Sequence, residues 1–409
     1  MIGNHCPPTW HYSADRRGSG RRQFVAPPCV RGRCASREQV YGGSLKSVGV
    51  ALIGVGNCAA SVVQAWAKHK DDSVYPGGIP ALANLGPLRD LRFTAAFDVD
   101  ARKIGADLSA ALWMPPNNAP AFADVPPLGV AVHAGLACDG LGPRSSSFID
   151  DIATAEPDAV VRELRRTGTD VVVSLLPAGA DEATAGYAAA ALRSGCAFVN
   201  CSSTVLARDE KWRDAFSESG LPLIGDDLKA QLGATIVHQT LVRLLSEQGV
   251  TLDRTYQINA GGNMNFVNLG DPARSRAKSA TKVHAVTSEA NRGAGLASED
   301  CYAGMADFIP SLRDRKVAYI RLEGRTLGDQ PVDIELRMDV PDSVNGAGAA
   351  LDATRLAALA LRSKSPQVTE AVNALQMKES PVSLPAGEAL ETILSAHGSL
   401  TAADREVTR

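Results

Sequence analysis

The stretch SVGVALIGVGNCAASVVQAWAKH, residues 47–69, decides the fold. A short apolar, β-branched run ends at Gly54, glycines fall at 54 and 56, a small residue follows at Ala59, and helical periodicity takes over through Val62, Val63 and Trp66. The pattern is Gly-x-Gly-x-x-Ala set between a strand and a helix. The first glycine permits a tight turn, the second lets backbone approach a pyrophosphate, and the small third residue lets helix close on strand. Free N–H groups at the helix start, which Asn57 and Cys58 open, favour an anion. By itself the motif is weak, with a tight structural turn as the alternative, and the segments around it strengthen it.

Moving outward, LRFTAAFDVD (91–100) reads as the next strand and delivers Asp98 at its carboxyl end. An acid there can accept hydrogen bonds from both hydroxyls of an adenine ribose, which favours NAD over NADP; a plain strand-end turn residue is the alternative. The spacing from Gly56 to Asp98 is about twice the usual one, so a Gly/Pro-rich loop insertion is predicted over residues 68–90. Three further β-like runs, TDVVVSLLPAG (169–179), CAFVNCSS (196–203) and LPLIGDD (221–227), alternate with helical segments. That alternation predicts an α/β, doubly wound Rossmann-type parallel sheet with helices on both faces. Ligands of such sheets lie beyond the carboxyl ends of the strands, which places Ser174, Leu175, Pro177, Asn200, Asp226 and Asp227 near the nicotinamide half of the cofactor. At any single position, a polar residue that merely ends a strand would look the same.

The chain has 409 residues, 45% apolar and 21% charged, enough for two domains with appendages. A net charge of -3 argues against bulk affinity for nucleic acid or anionic membrane, leaving small molecules and other subunits as partners. Cys58, Cys138, Cys196, Cys201 and Cys301 are scattered through core or motif segments and are expected as reduced thiols of a cytoplasmic protein. Residues 1–45 differ from the rest. They contain seven arginines and no apolar run long enough for a signal peptide or membrane span. A disordered tail, or a start placed too far upstream, is expected there, and Cys6, Cys29 and Cys34 fit no good zinc spacing.

Beyond the helix-forming QLGATIVHQTLVRLLSEQG, the segments RTYQINAGGNMNF and KVAYIRLEGRTLGDQPVDIELRMDV predict a mixed or antiparallel sheet in a second domain. Between them, residues 270–312 are rich in Ala, Ser, Gly and Asp and poor in large apolar groups, as a covering element ordered mainly by ligand would be. LDATRLAALALRS then returns as a helix to the first domain. The expected division is a tail (1–45), the NAD-binding domain (46–232), a second α+β domain (233–340) with its lid (270–312), and a C-terminal return (341–409).

Lysine is scarce, 11 of 42 basic residues, yet Lys229, Lys278, Lys282, Lys316 and Lys378 gather in or beside the second domain. Clustered amines suggest a phosphorylated substrate. Lys278 and Lys282 lie four apart; on one helical face, repulsion and exclusion of water would lower at least one pKa and make a usable proton carrier, whereas a solvated charged face is the bland reading. A guanidinium cannot take that role.

Several stretches together carry a family resemblance: ALIGVGNCAASVVQ, AAFDVD, VVSLLPAG, IGDDLKAQLGATI, LDRTYQINAGGNMNF, KSATK followed by AVTS, DRKVAYIRLEGR and LQMKESP. From about Val48 to Pro385 the chain resembles the inositol-3-phosphate synthases (myo-inositol-1-phosphate synthases), in their short bacterial form. The resemblance implies an isomerase, an intramolecular lyase, that turns D-glucose 6-phosphate into 1D-myo-inositol 3-phosphate, with NAD reduced and regenerated in each turnover of a homotetramer. It further implies that Lys278, Lys316 and Lys378 handle sugar oxygens, with Lys278 foremost for proton transfer at C5. Lys282 would hold phosphate, Lys229, Asn263 and Asn265 would contact substrate, and Asp227 and Asp314 would orient lysines. Two departures stand out: Ala230 where the family has Ser, and Asn265 where it has a carboxylate, which leaves any cation at the site undetermined. An NAD-linked dehydrogenase of another phosphorylated substrate and a non-catalytic NAD-binding paralogue are the alternatives.

Overall fold

The computed structural model describes residues 47–72, 74–290 and 296–407, so the tail expected over 1–45 lies outside the described residues. Six parallel strands form the first sheet: β1 (Val48–Ile53), β2 (Leu91–Asp98), β3 (Val132–Ala134), β4 (Val171–Ser174), β5 (Ala197–Asn200) and β6 (Leu223–Ile224). Their order is β3-β2-β1-β4-β5-β6, the doubly wound arrangement expected from the glycine motif. Every residue of β1 is buried, because both faces are covered. Val48, Val50 and Leu52 join one core with α1 (Asn57–His69), while Ala51 and Ile53 join another with α3 (Pro157–Thr167), α4 (Asp181–Ser194) and α5 (Glu210–Glu218). The short helix α2 (Leu108–Ala111) lies between β2 and β3 in the chain.

The C-terminal segment completes the first of these cores. Helices α9 (Asp342–Ser363), α10 (Pro366–Gln376) and α11 (Ala386–Val407) bring Leu351, Leu356, Val372 and Ile393 against Val50 and Val63. Helix α9 also fastens the inserted loop between α1 and β2. Asp352 accepts from the Tyr75 hydroxyl at 2.6 Å and the Ile79 amide at 2.7 Å, and Arg355 donates to the carbonyls of Leu82 (3.0 Å) and Gly86 (2.7 Å). The contact is close enough that a Cβ on Gly348 would lie 2.0 Å from the Gly77 carbonyl oxygen.

After α6 (Ala234–Glu247), the second sheet runs β10-β9-β7-β8, from β7 (Thr251–Gly261), β8 (Cys301–Phe308), β9 (Arg315–Arg325) and β10 (Pro331–Pro341). It is mixed: β9 is antiparallel to β7 and β10, and β8 is parallel to β7. Helix α7 (Met264–Leu269) follows β7, and α8 (Pro272–Ala290) packs with α6 over the sheet, burying Val242, Val286, Leu252 and Ile320. The segment 270–312, expected as a covering element with little to bury, thus contains a 19-residue helix and an edge strand. Backbone pairing to β7 supplies what its sparse apolar side chains do not.

Cys58, Cys196, Cys201 and Cys301 are free thiols as expected. Cys138 is not; it is disulfide-bonded, half-buried in a loop at the margin of the second core. Among the described residues no helix is long and apolar enough to cross a membrane.

Candidate active site

The glycine corner forms as its residue types require. Gly54 has φ +88°, a left-handed conformation open to glycine, and its amide donates to Phe97 O at 2.8 Å, tying the turn to β2. Gly56 stands at the head of α1, no side chain caps the helix there, and a Cβ on Gly56 would meet nothing within 4 Å. Uncapped N–H groups therefore face open space. Beside them at the end of β4, the Ser174 hydroxyl is buried without a hydrogen-bond partner among the described residues, and Leu175 donates its amide to Ile53 O at 2.9 Å. An orphaned hydroxyl, an uncapped helix start and a cradle free of Cβ atoms fit a phosphate-bearing dinucleotide.

Asp98 ends β2 as expected, but its oxygens are already engaged. Oδ2 accepts from the Val55 amide at 2.7 Å and lies 3.4 Å from Lys103 Nζ; Oδ1 accepts from the amides of Val99 (2.8 Å) and Asp100 (2.9 Å). Lys103, which the sequence reading did not single out, is buried and donates to Val55 O at 2.8 Å. Asn200 and Asp226, expected at the nicotinamide, face inward instead. Both are fully buried; Asn200 donates to Asp226 at 2.7 Å, and Asp226 also accepts from the amides of Leu206, Ala207 and Arg208. Burial raises the Asp226 pKa, and these four donors are what its carboxylate has in exchange for water.

The lysines converge as the sequence suggested. Lys278 and Lys282 stand one helical turn apart on α8, Lys316 opens β9, and Lys378 follows α10; all four line one cleft. Asp227, buried and with φ +59°, holds two of the amines: Oδ1 accepts from Lys278 Nζ at 2.6 Å and from Lys378 Nζ at 2.8 Å. Burial opposes its charge, but the two ammonium groups outweigh burial and keep its pKa far below the usual carboxylate range. Lys378 is pushed down to about 8, chiefly by burial and against the pull of Asp227. Lys282 lies well below its ordinary value, through burial first and then repulsion by Lys316, Lys278 and Lys378.

Other expected residues take different positions. Lys229 donates to the carbonyls of Ala374 (2.8 Å) and Leu375 (3.4 Å), capping the end of α10, and does not line the cleft of the other four lysines. Among the described residues, Asp314 pairs with no lysine. It accepts from Asn57 (2.8 Å), Asn263 (3.1 Å) and the Ser343 hydroxyl, so it joins α1, the β7–α7 corner and α9. The carboxylate facing Lys316 is Asp342, at 3.5 Å, which also accepts from Asn263 at 3.0 Å. Asn265 lines the cleft while its amide is capped by Asn263 at 3.1 Å; Cys58 is the second residue of α1, where Asp342, Asp314 and Lys278 act on its thiol, and Pro177 lies in the loop after β4.

At the start of α6 the sequence reading singled out Ala230 alone. Gly233 is its N-cap without a side-chain cap, and Ala234, Thr235 and Ile236 line the cleft with Lys278, Lys282 and Ala230. The signal available was a glycine, with no Ser, Thr or Asp, directly before a strongly apolar helix. An uncapped helix start facing four amines has the chemistry to hold an anion, and no cluster of His, Cys, Asp and Glu suited to a metal occurs among the described residues.

A family model described as myo-inositol-1-phosphate synthase matches residues 233–343. Inositol-3-phosphate synthase of Mycolicibacterium smegmatis is 42% identical over 341 residues, 82% of this chain and 93% of that protein. Among solved structures, that of Ari2 has a TM-score of 0.69 at 29% identity, covering 89% of this chain and 100% of that one. Inositol-3-phosphate synthase of Caenorhabditis elegans has a TM-score of 0.64 at 15% identity, covering 89% of this chain and 85% of that one, a likeness of fold. With 42% identity over nearly the whole mycobacterial enzyme, the chain belongs to the inositol-3-phosphate synthase family.

Proposed function

We propose that this chain converts D-glucose 6-phosphate into 1D-myo-inositol 3-phosphate, by oxidation at C5, aldol closure between C6 and C1, and reduction at C5. The observation that carries the reading is the ring of four lysines beside an uncapped helix start, next to the glycine corner. NAD bound there supplies a hydride acceptor that gives the hydride back, so no net oxidant is consumed. Gly54, Gly56 and the first amides of α1 would hold its pyrophosphate, with the Ser174 hydroxyl and Leu175 at the nicotinamide end. Asp98 and Lys103 brace the loop.

The start of α6 and Lys282 receive the substrate phosphate. Lys282 is depressed because its neighbours are cations; a dianion beside it restores its proton, so binding and charging reinforce each other. Each stage creates or discharges an oxyanion on the sugar. Lys278, fixed by Asp227, takes and returns the proton at the C5 oxygen, and Lys378, near pH 8, is able both to donate and to accept at physiological pH. Lys316, opposite Asp342, stabilises the remaining oxygen charge. Ala230 withholds a hydroxyl from the phosphate end and Asn265 a carboxylate from the sugar end, departures that tune turnover. Residues 270–312 tighten over the bound ligands.

The enzyme works in the cytosol as a homotetramer. Tyr256, Tyr302 and Tyr319 stand 40–52% exposed on the outer face of the second sheet, and Leu327 is 93% exposed at the β9–β10 turn, surfaces suited to a second copy. The deciding assay supplies glucose 6-phosphate with catalytic NAD. Inositol phosphate should accumulate without NADH; stoichiometric NADH would mark an ordinary dehydrogenase, and no product with NAD bound would mark a non-catalytic relative.

A further inference from the structure

Arg274 lies on α8 four residues before Lys278 and eight before Lys282, so the three side chains share one face of the helix. The two lysines face the cleft; Arg274 is only 9% exposed and points into the first domain. Its Nη1 donates to Ala178 O at 3.2 Å and to Asn268 Oδ1 at 2.8 Å, and its Nη2 donates to Asp139 O. Asn268 itself donates to Ala178 O at 2.9 Å. The Asp139 carboxylate meanwhile accepts from the amides of Glu182 and Ala183, both at 2.9 Å, at the start of α4. One guanidinium thus joins the lysine helix, the loop that leaves β4 after Ser174, and the loop that caps α4. Two glycines keep its channel open: a Cβ on Gly179 would fall 2.6 Å from Arg274 Cγ, and one on Gly142 would fall 2.9 Å from Nε. A lysine has a single amine, which cannot reach the carbonyls of Ala178 and Asp139 as a planar fork does.

We infer that Arg274 is a positioning residue that transmits cofactor occupancy at the β4–α4 loop to the amines on α8. The inference rests on the reading of the glycine corner as an NAD site. Helix α8 is rigid on this scale: at 1.5 Å per residue, Lys282 stands about 12 Å from Arg274, so a tilt of roughly 5° there moves its Cα by about 1 Å. A misplacement of about 1 Å can cost on the order of 100-fold in rate. The loop carrying Ala178 and Gly179 is the one a nicotinamide would press against, and Arg274 leaves it no freedom to move without α8.

Hydrogen exchange of the full chain, measured with and without NAD, tests this without requiring turnover. In the wild type, NAD should slow exchange of the α8 amides about tenfold or more. In Arg274→Met, NAD should still bind within about threefold of wild type, yet slow α8 less than about twofold, and kcat should fall about 100-fold with KM nearly unchanged. Arg274→Lys, which keeps the charge, should recover only a minor part of the slowing, and it decides the matter if the methionine variant does not fold. The inference is overturned if NAD binds the wild type without slowing α8, or if both variants retain the slowing, or if they lose it only in proportion to lost NAD binding. Failure of the wild type to bind NAD at all would sink the cofactor reading itself.

Discussion

Replacing Asp227 by Asn removes the charge that Lys278 and Lys378 share while leaving the backbone undisturbed, since Asn also tolerates the left-handed conformation at φ +59°. With contacts of 2.6 and 2.8 Å, each ammonium feels a gross attraction of about 6 kcal/mol at an effective dielectric of about 20. Breaking a buried pair costs about 3–5 kcal/mol in practice. Divided between two amines at 1.36 kcal/mol per pH unit, that loss lowers Lys378 by about one to two further pH units. From a starting point near 8, it is then mostly neutral at pH 7.5, and the cleft loses the proton and the charge that stabilise sugar oxyanions. General acid-base groups contribute about 100- to 10,000-fold, so kcat should fall at least about 100-fold at pH 7.5. Activity should recover toward pH 6, where the amine regains its proton, and NAD affinity should stay within about threefold of wild type because the Asp227 carboxylate bonds the amines and not the glycine corner. The assay is inositol phosphate formation from pH 5.5 to 9.5, paired with NAD binding. An Asp227→Asn enzyme within about tenfold of wild type, with an unshifted pH profile, would refute the role assigned to the carboxylate.

Stability should rise with pH in the alkaline range: Lys378 holds its proton to about 8 when folded but to about 10.5 when unfolded, so the unfolded chain binds more protons between these values. The gain is up to roughly 3 kcal/mol between pH 8 and 10.5, and urea titrations should show it shrink in Lys378→Met. Asp352→Ala strips Tyr75, Ile79 and Arg355 of their shared acceptor and should cost about 3–5 kcal/mol, read as a lowered Tm with kcat unchanged in the surviving folded fraction. Ala230→Ser places a hydroxyl beside the start of α6 and should lower KM for glucose 6-phosphate up to about tenfold, one hydrogen bond's worth; an unchanged KM would remove Ala230 from the phosphate site. Limited proteolysis within residues 270–312 should slow when NAD and substrate are both present, and equal cleavage in both states would count against closure.

The parallel sheet was legible because β1 is apolar on both faces and the glycines after it permit few other readings. The lysines were legible because they are rare. Their partners were not. Asp342 lies next to a helix start and Lys316 at a strand start, and only the turn that brings β10 back along β9 puts them 3.5 Å apart. Asp314 shares the same neighbourhood in sequence yet points toward Asn57, 257 positions earlier. Spacing cannot distinguish such acids, because side-chain direction at a sheet edge depends on register. Lys229 misled for a similar reason: it follows Asp227 closely, but its amine is taken up by carbonyls at the end of α10. Asn200 and Asp226 satisfied a strand-end rule that holds for position and not for orientation.

The filled carboxylate at the end of β2 has a practical consequence. Protein engineers who wish to change a dehydrogenase's preference for its nucleotide commonly begin by neutralising this acid, on the premise that it greets only the ribose. Here the same edit would strip the Val55 amide of its acceptor and take from the enclosed Lys103 its ion-pair partner, so the turn itself would loosen before any selectivity changed. Redesign of this scaffold would have to start from residues outside that brace.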